Sequence, residues 1–544
     1  MKNQVYGNTE GLRHTQIKLI ETLYQHQTRP EYIANPELVR ALVRFSHDIR
    51  RQIGILVDRN GKIVHVMVGD SQGIVIPVLS DYMAHPGKLK GLRLVHTHLR
   101  EEPLTQDDLT DLALLRLDYI TAAGIRPDGE PGLVYSGHIL PDEDAEPYKV
   151  LNPVTIEDLK TNCLSQILAL ESELTRKNSL YKPESGRENA FLINVVTLDQ
   201  KNAAASLDEL KELCKTSGIN IIGTAIQKRK LIDPKYVVGK GKLSEIVIQA
   251  IQKHATLLIF DRELSASQIR SITDVVEMKV IDRSQLILDI FAKQAKSREG
   301  KYQVELAQLE YLLPRLITKN TAMSRLTGGI GGRGPGETKL ELNRRRVRER
   351  IDRLKNEIKK IRKQRKQQKS RRNKKELPVI SIVGYTNAGK STLLNTLTQS
   401  SIVAANRLFA TLDPSSRRLR FPKDIEVIIT DTVGFIQNLP QDLMEAFHAT
   451  LDELMDADLI LHVIDISNPR YQQQKETVEQ ILKNLKLDAI PTVLVFNKTD
   501  RIELDAFEDQ WLLTQGVSIT ATQKQTLTPL VDKLESMVKL INRG

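Results

Sequence analysis

Three short motifs in the C-terminal third of the chain combine residue types that bind a nucleoside triphosphate. The first, GYTNAGKS at residues 384 to 391, joins glycines to a lysine and a serine. The second is DTVG at 431 to 434, and the third is NKTD at 497 to 500. In this order they suit phosphate binding, Mg²⁺ and γ-phosphate sensing, and guanine recognition. Together they indicate a guanine-nucleotide site far more specifically than any one motif does.

The first motif predicts a phosphate-binding loop. Gly384 and Gly389 allow the backbone to curl so that N–H groups face an anion. Lys390 is expected to reach the β- and γ-phosphates, and the Ser391 hydroxyl to ligate Mg²⁺. The predicted nucleotide contacts in this loop are Gly384, Tyr385, Thr386, Asn387, Ala388, Gly389, Lys390, Ser391 and Thr392.

The second motif and the segment before it predict metal and γ-phosphate contacts. Asp431 is expected to hold Mg²⁺ through water, and the Gly434 N–H to sense the γ-phosphate. Thr411, within LFATLDP at 408 to 414, is expected to ligate Mg²⁺ in the triphosphate state. The predicted metal ligands are therefore Ser391, Thr411 and Asp431. The predicted nucleotide contacts here are Phe409, Ala410, Thr411, Leu412, Asp413, Asp431, Thr432, Val433 and Gly434.

The third motif predicts the choice of base. The Asp500 carboxylate can accept hydrogen bonds from the guanine N1–H and 2-amino group, whereas adenine lacks that pair of donors and would leave a buried carboxylate unsatisfied. A further base contact is expected after the strand pattern GVSI at 516 to 519. The predicted contacts are Asn497, Lys498, Asp500, Thr520, Ala521 and Thr522.

The position after Gly434 lacks a residue that could orient water. Many small GTPases carry glutamine there, and the aromatic side chain of Phe435 cannot replace it. We hypothesise that intrinsic hydrolysis is slow and that a partner or another segment positions the attacking water. The alternative is that another residue of the same domain does so. The positions expected to matter in catalysis are Lys390, Thr411, Gly434 and Phe435.

Buried-strand patterns run directly into these motifs, at 379 to 383, 426 to 430 and 491 to 496. They predict an α/β GTPase domain with a mostly parallel sheet over residues 377–544. Residues 187–298 predict a smaller α/β domain, with strands at 190–198, 219–227 and 256–261 and helices at 206–218 and 243–253. Residues 1–150 predict an α+β extension, with strands at 52–57, 62–68 and 92–98 and a helix at 107–120. Residues 142–160 are expected to link these two blocks.

Residues 299–376 predict a basic helical arm interrupted by the glycine-rich stretch TGGIGGRGPGE at 327–337. Its second helix has a seam with the heptad spacing of a coiled coil, expected to pack on a helix at 301–316. The seam residues are Val347, Ile351, Leu354, Ile358 and Ile361.

The arm also carries the basic character of the whole chain. Between Arg344 and Lys375 there are 18 Lys or Arg and 3 Asp or Glu, a net of +15, while the chain totals +11. The other residues are therefore net acidic. A solvated helix with so many cations would repel itself, so binding of nucleic-acid phosphates is the favoured interpretation. The residues Gly239, Lys240, Gly241 and Lys242 form a second candidate phosphate-contact loop, with an ordinary turn as the alternative.

These segments resemble the HflX family of translational GTPases. The resemblance covers residues 187 to 544 and is most specific in TGGIGGRGPGETKLELNRRRVRERI at 327–351, with YVVGKGKLSEI at 236–246 and DRELSASQIR at 261–270 supporting it. It implies a factor that binds the large ribosomal subunit and its rRNA, and in several members separates stalled or idle ribosomes. The alternatives are a GTP-dependent RNA remodelling or ribosome-assembly factor, and a scaffold whose GTPase domain only senses nucleotide.

The first block lies outside that resemblance. His96 and His98, followed by Thr105 and Asp108, are similar to the zinc motif of JAMM/MPN metallopeptidases, which implies a Zn²⁺ site at His96, His98 and Asp108. The spacing from His98 to Thr105 is one residue short, and Thr105 replaces the serine of that motif. No clear catalytic glutamate precedes the strand IGILV, where Gln52 stands. We therefore expect a metal-free relative of this fold that serves as an interaction module, with an active metallohydrolase as the alternative.

Chain length, cysteine count and the length of apolar runs limit the classes of protein to which this chain can belong. The 544 residues are too many for one core. Cys163 and Cys214 are the only cysteines, which is too few for a disulfide framework or a thiolate metal site. No apolar run reaches the ~18 residues that span a bilayer. We expect a cytoplasmic protein, with peripheral membrane association as an alternative, that is monomeric when free.

Overall fold

The computed structural model describes residues 4–77, 79, 82, 88–140, 148–159, 162–180, 188–197, 203–276, 278–316, 339–372, 377–398, 409, 415–421, 425–432, 434–436, 454–502 and 510–541. They form two compact units. The first comprises residues 1–203 and 219–281, and the second comprises residues 204–218 and 282–544. Among the described residues, none of the helices is both long enough and apolar enough to cross a membrane.

The first unit contains a seven-stranded sheet. Its strands are β1 (Val5–Gly7), β2 (Ile53–Asp58), β3 (Ile63–Val68), β4 (Leu92–His98), β5 (Tyr119–Ile125), β6 (Pro131–Ile139) and β7 (Tyr148–Val150). They lie in the order β1-β3-β2-β4-β5-β6-β7. Strands β2 and β3, close to the strands predicted at 52–57 and 62–68, form an antiparallel hairpin, and β4 pairs with β5 in parallel. The helices of this block are α1 (His14–Glu21), α2 (Pro36–Ile49), α3 (Gln106–Leu114) and α4 (Cys163–Leu180).

The helix predicted at 107–120 is too long. It ends at Leu114, and the rest of the predicted segment enters strand β5. The chain turns at Arg116, whose φ of 51° is left-handed and cannot continue a helix. Tyr119 and Ile120 are then fully buried in the sheet. The apolar residues of this segment keep helical spacing beyond Leu114, so the pattern alone does not mark where the helix ends and the buried strand begins.

The segment 142–160 is not simply a linker. Tyr148–Val150 joins the sheet as an edge strand, and a short 3₁₀ helix follows at Ile156–Leu159. Ile167 and Leu174 of α4 belong to the same hydrophobic core as the seven strands. The core of the first block therefore extends well past residue 150.

The first unit also contains a four-stranded sheet. Its strands are β8 (Asn189–Thr197), β9 (Asn220–Arg229), β10 (Leu257–Phe260) and β11 (Lys279–Asp282), in the order β11-β10-β8-β9. Strand β8 pairs in parallel with both β9 and β10, as the alternating pattern predicts. Helices α6 (Lys240–Gln252) and α7 (Ala266–Thr273) accompany it. The candidate loop at 239–242 is instead the first turn of α6, with Gly239 as its N-cap.

The second unit includes α5 (Ala203–Ser217), α8 (Arg283–Gln294), α9 (Arg298–Leu316) and α10 (Lys339–Arg372). Leu306 of α9 packs with Ile351, Leu354 and Ile358 of α10, so the predicted seam is confirmed over these residues. The glycine-rich stretch at 327–337 lies outside the described residues.

A six-stranded sheet carries the nucleotide motifs. Its strands are β12 (Val379–Gly384), β13 (Ser415–Arg420), β14 (Glu426–Asp431), β15 (Leu459–Asp465), β16 (Thr492–Asn497) and β17 (Val517–Ser518), in the order β13-β14-β12-β15-β16-β17. All neighbouring pairs are parallel except β13 with β14. The helices here are α11 (Lys390–Thr398), α12 (Tyr471–Asn484), α13 (Gln510–Thr514) and α14 (Thr528–Ile541). The predicted mostly parallel α/β fold is confirmed, and the carboxyl ends of β12, β14 and β16 meet at one edge, where ligands bind such sheets.

Candidate guanine-nucleotide site

The phosphate-binding loop connects β12 to α11 in the predicted strand–loop–helix arrangement. Asn387 and Gly389 have positive φ angles of 63° and 95°, which produce the tight curl. A β-carbon at Gly389 would lie 2.2 Å from Nδ2 of Asn497, so only glycine fits between the loop and that side chain. The loop therefore depends on the third motif for its packing as well as on its own sequence.

Lys390 is folded back onto the loop. Its Nζ donates hydrogen bonds to the carbonyl oxygens of Gly384 at 3.1 Å and Tyr385 at 2.8 Å. Burial lowers the pKa of Lys390 to about 8, although the charge of Asp431 opposes this shift. The loop thus holds a buried ammonium group whose charge the phosphates of a nucleotide can stabilise.

The two metal-ligand candidates in the described residues lie side by side. The Ser391 hydroxyl donates a 2.7 Å hydrogen bond to Oδ2 of Asp431, which is fully buried at the end of β14. The neighbouring Thr432 hydroxyl donates to the Ile382 carbonyl at 2.6 Å and so ties β14 to β12. A hydroxyl and a carboxylate at this spacing supply the oxygen ligands that Mg²⁺ prefers.

The residues after β14 pair with the phosphate-binding loop. Thr386 N–H donates to the Phe435 carbonyl at 2.8 Å, and Phe435 N–H donates to the Gly384 carbonyl at 3.1 Å. A β-carbon at Gly434 would lie 2.8 Å from Cγ2 of Thr386 and 3.0 Å from Nζ of Lys390. Gly434 therefore touches the loop where the γ-phosphate is expected. The Phe435 side chain is only 3% exposed, so it packs inside the domain.

Asn497 joins the phosphate and base ends of the site. Its Nδ2 donates to the Ala388 carbonyl at 2.8 Å, and its Oδ1 accepts from the Ala521 N–H at 2.9 Å. Lys498 donates to the Asn387 carbonyl at 2.9 Å from a left-handed backbone position. These hydrogen bonds hold the phosphate-binding loop, the third motif and the segment at Ala521 together at one edge of the sheet.

Two hydroxyl side chains lie beside Asp500, the residue predicted to contact the base. Its exposed carboxylate accepts from the Thr520 hydroxyl at 3.3 Å, and the hydroxyls of Thr499 and Thr520 lie 2.9 Å apart. Thr520 thus places a hydroxyl beside the carboxylate. Thr522 is exposed in the following turn.

Sequence reasoning missed Asp465 at the end of β15. Its Oδ2 accepts from Lys498 Nζ at 2.6 Å, while its Oδ1 accepts from the hydroxyl and N–H of Ser467. Asp465 therefore fixes the lysine of the third motif. The signal was present, because LILHVID is a buried strand that ends in aspartate as EVIITD does.

Several predicted contacts cannot be placed. The positions outside the described residues are Ala410, Thr411, Leu412, Asp413 and Val433. Phe409 is described and buried, and its ring packs edge-on against Phe291 of α8 with centroids 4.6 Å apart. Their roles at the nucleotide remain predictions.

The zinc candidates of the first block do converge. His96 and His98 lie on β4, Asp108 lies in the first turn of α3, and their ligand atoms are all within 4.8 Å of one another. Gln52 is buried at the start of the β2 region.

Comparison with known proteins agrees with this geometry. A family described as "50S ribosome-binding GTPase" matches residues 379–498, "GTP-binding GTPase Middle Region" matches 294–372, and "GTP-binding GTPase N-terminal" matches 204–292. "GTPase HflX" of Caldanaerobacter subterraneus is 45% identical over 64% of this chain and 80% of its own length.

The chain belongs to the HflX family of GTPases.

The HflX protein of Escherichia coli is 45% identical over 58% of this chain and 74% of its own length. A solved structure described as the complex of SsGBP with GDP is similar at a TM-score of 0.39 and 24% identity, covering 65% of this chain and 99% of that one. As an HflX-family GTPase, the protein binds GTP and hydrolyses it, which removes the nucleotide-sensing scaffold as an interpretation.

Proposed function

We propose that this HflX-family protein binds the large ribosomal subunit in its GTP state and separates stalled or idle ribosomes. The observation that carries the proposal is the placement of a GTPase domain directly after the basic helix α10. The family description "50S ribosome-binding GTPase" for residues 379–498 supports the same partner.

The nucleotide site supplies the switch. Lys390 exchanges its hydrogen bonds to the loop carbonyls for the β- and γ-phosphates, and Asp500 selects guanine. Ser391 and Asp431 would hold Mg²⁺, which neutralises charge on the phosphates. The backbone hydrogen bonds between Phe435 and the loop support a role for the second motif in responding to the γ-phosphate.

Helix α10 supplies the surface for rRNA. Its apolar seam packs on α9, and its Arg353 and Lys360 side chains are 73% and 69% exposed. Arg350 pairs with Glu305 at 2.7 Å and Lys355 with Glu310 at 2.8 Å, which fixes α10 on α9. An exposed face with this charge attracts phosphates by counterion release.

The test is co-sedimentation of the full chain with ribosomes on a sucrose gradient, with a non-hydrolysable GTP analogue, GDP or no nucleotide, at two salt concentrations. Analogue-dependent migration with the large subunit and loss of the intact-ribosome peak are expected. The variant Arg353→Gln, Lys359→Gln, Lys360→Gln should bind less and show a shallower salt dependence. Its control is Lys483→Gln, Lys524→Gln, Lys539→Gln, which removes three cations from other helices or turns.

Rates of GTP hydrolysis measured with assembled ribosomes and with naked rRNA distinguish the alternative of a GTP-dependent RNA remodelling or ribosome-assembly factor. In that case naked rRNA, rather than assembled ribosomes, would give the main stimulation of GTP hydrolysis. Failure to sediment with ribosomes in every nucleotide state would refute the ribosome proposal.

A further inference from the structure

The inference concerns a buried cluster in the first block, far in sequence from the nucleotide motifs. His96 and His98 lie two residues apart on β4, so both side chains face the same side of the sheet, and both are buried. Asp108 approaches them from α3. We propose that His96, His98 and Asp108 bind one Zn²⁺ ion and leave its fourth coordination position open.

The distances among the ligand atoms fit a tetrahedral ion. The two Nε2 atoms are 3.0 Å apart, Nε2 of His96 lies 3.2 Å from Oδ1 of Asp108, and Nε2 of His98 lies 3.3 Å from Oδ2. Zinc bonds of about 2.0–2.1 Å place tetrahedral ligands roughly 3.3 Å apart. These separations match those of groups that share one ion, which would bond both imidazole nitrogens and an oxygen of Asp108.

The surrounding contacts orient two of the three ligands, His98 and Asp108, as in known metal sites. Nδ1 of His98 lies 3.2 Å from the Glu102 carbonyl, an acceptor, so this nitrogen carries the ring proton and Nε2 presents its lone pair. Oδ2 of Asp108 accepts from the N–H and hydroxyl of Thr105, both at 2.7 Å, which leaves Oδ1 toward His96. A single proton can bridge only one pair of these nitrogen and oxygen atoms. A divalent cation can accept a lone pair from each of the three side chains.

The fold explains why the short spacing from His98 to Thr105 is no obstacle. Thr105 is the N-cap of α3 in a capping box, so Asp108 occupies the third position of the helix and its carboxylate points back toward the cap. The helix start, rather than the number of loop residues, brings the carboxylate to β4. Among the described residues, no further His, Cys, Asp or Glu joins the group. Water or an oxygen of a ligand would complete the coordination, as in zinc sites with three protein ligands.

The test is metal analysis of the purified full chain by mass spectrometry, followed by chelation and reloading with Zn²⁺ or Co²⁺. One equivalent of zinc per chain and a tetrahedral Co²⁺ visible spectrum are expected. His96→Gln and Asp108→Asn should each lower Zn²⁺ affinity by at least about 100-fold. His14→Gln, which removes an exposed histidine of the same block, should leave it unchanged.

Thermal unfolding keeps the result interpretable if a variant folds poorly. Zn²⁺ should raise the Tm of the wild-type chain but not that of the two variants, because only a folded site binds the ion. Wild-type protein that takes up no stoichiometric Zn²⁺ or Co²⁺ while its circular dichroism is native would overturn the proposal.

Discussion

The hydroxyl of Tyr385, in the phosphate-binding loop, donates a 2.5 Å hydrogen bond to Oε1 of Glu209, which lies 176 residues earlier on α5. The other oxygen of Glu209 pairs with Arg283, at the start of α8, at 2.8 Å. All three residues are less than 10% exposed. A loop that must bind phosphate is thus held by a buried charge pair outside the six-stranded sheet. This contact links the nucleotide site physically to α5 and α8.

Loss of the Tyr385 hydroxyl should therefore destabilise the second unit. Tyr385→Phe removes a donor from a buried carboxylate and should lower the free energy of unfolding by about 1–3 kcal/mol. Urea denaturation followed by circular dichroism measures the change. Tyr302→Phe removes a more exposed hydroxyl contact, with Arg298 at 3.1 Å, and should cost less than about 0.5 kcal/mol. If the two substitutions lower the free energy of unfolding equally, the buried Tyr385–Glu209 hydrogen bond stabilises the protein no more than the exposed contact does.

Nucleotide binding should depend on pH through Lys390. Burial lowers the pKa of Lys390 to about 8 in the free site, and bound phosphates must raise it. Binding therefore takes up a proton above that pH. Affinity should be constant below it and fall by up to about tenfold per pH unit above it.

Titration calorimetry in buffers of different ionisation enthalpy measures this proton uptake directly. Uptake is expected one pH unit above the pKa and should vanish well below it. If the affinity for GDP stays constant across both ranges, Lys390 does not change its protonation on binding.

Asp500 should control base specificity. Asp500→Asn replaces one acceptor with a donor, so guanine loses a hydrogen bond and faces an unmatched amino group. GTP affinity should fall by about 100-fold or more, and xanthosine triphosphate, with a carbonyl in place of the amino group, should bind better than GTP. Competition against a fluorescent nucleotide measures both affinities. The exposed Asp488→Asn serves as the control, and an unchanged preference in Asp500→Asn would exclude this role.

His462 should make the GTPase domain sensitive to acid. Burial within β15 is the largest cause that lowers its pKa, to about 3, while an unfolded histidine titrates near 6.5. Below pH ~6.5 only the unfolded chain binds the proton, so stability is complete above that pH and is lost as the pH falls toward 3. The expected loss is at most about 1.4 kcal/mol per pH unit.

The variant His462→Leu should flatten this dependence. Its unfolding free energy should run parallel to that of the wild type above neutral pH and decline less steeply in acid, measured by denaturant titration at a series of pH values. Identical acid slopes for the two proteins would mean that other groups dominate acid unfolding.

The sequence alone determined the features that consecutive residues create. The loop at 384–391, the strand before it and the helix after it are local, because glycine conformations and a buried-strand pattern act over a few residues. The seam at Ile351, Leu354 and Ile358 was equally readable from its spacing, and the family followed from the motifs. The helix predicted over 107–120 was too long, because the local apolar pattern does not distinguish the end of a helix from the start of a buried strand.

Only the tertiary structure decided which distant side chains meet. Glu209 carries no sequence signal for Tyr385, since α5 reaches the phosphate-binding loop only after the chain has folded. Asp108 likewise joins His96 and His98 because a capped helix starts beside β4, although motif spacing argued against it. Such contacts depend on the packing of whole elements, and the free energy of burying their cores, rather than any local preference, sets them.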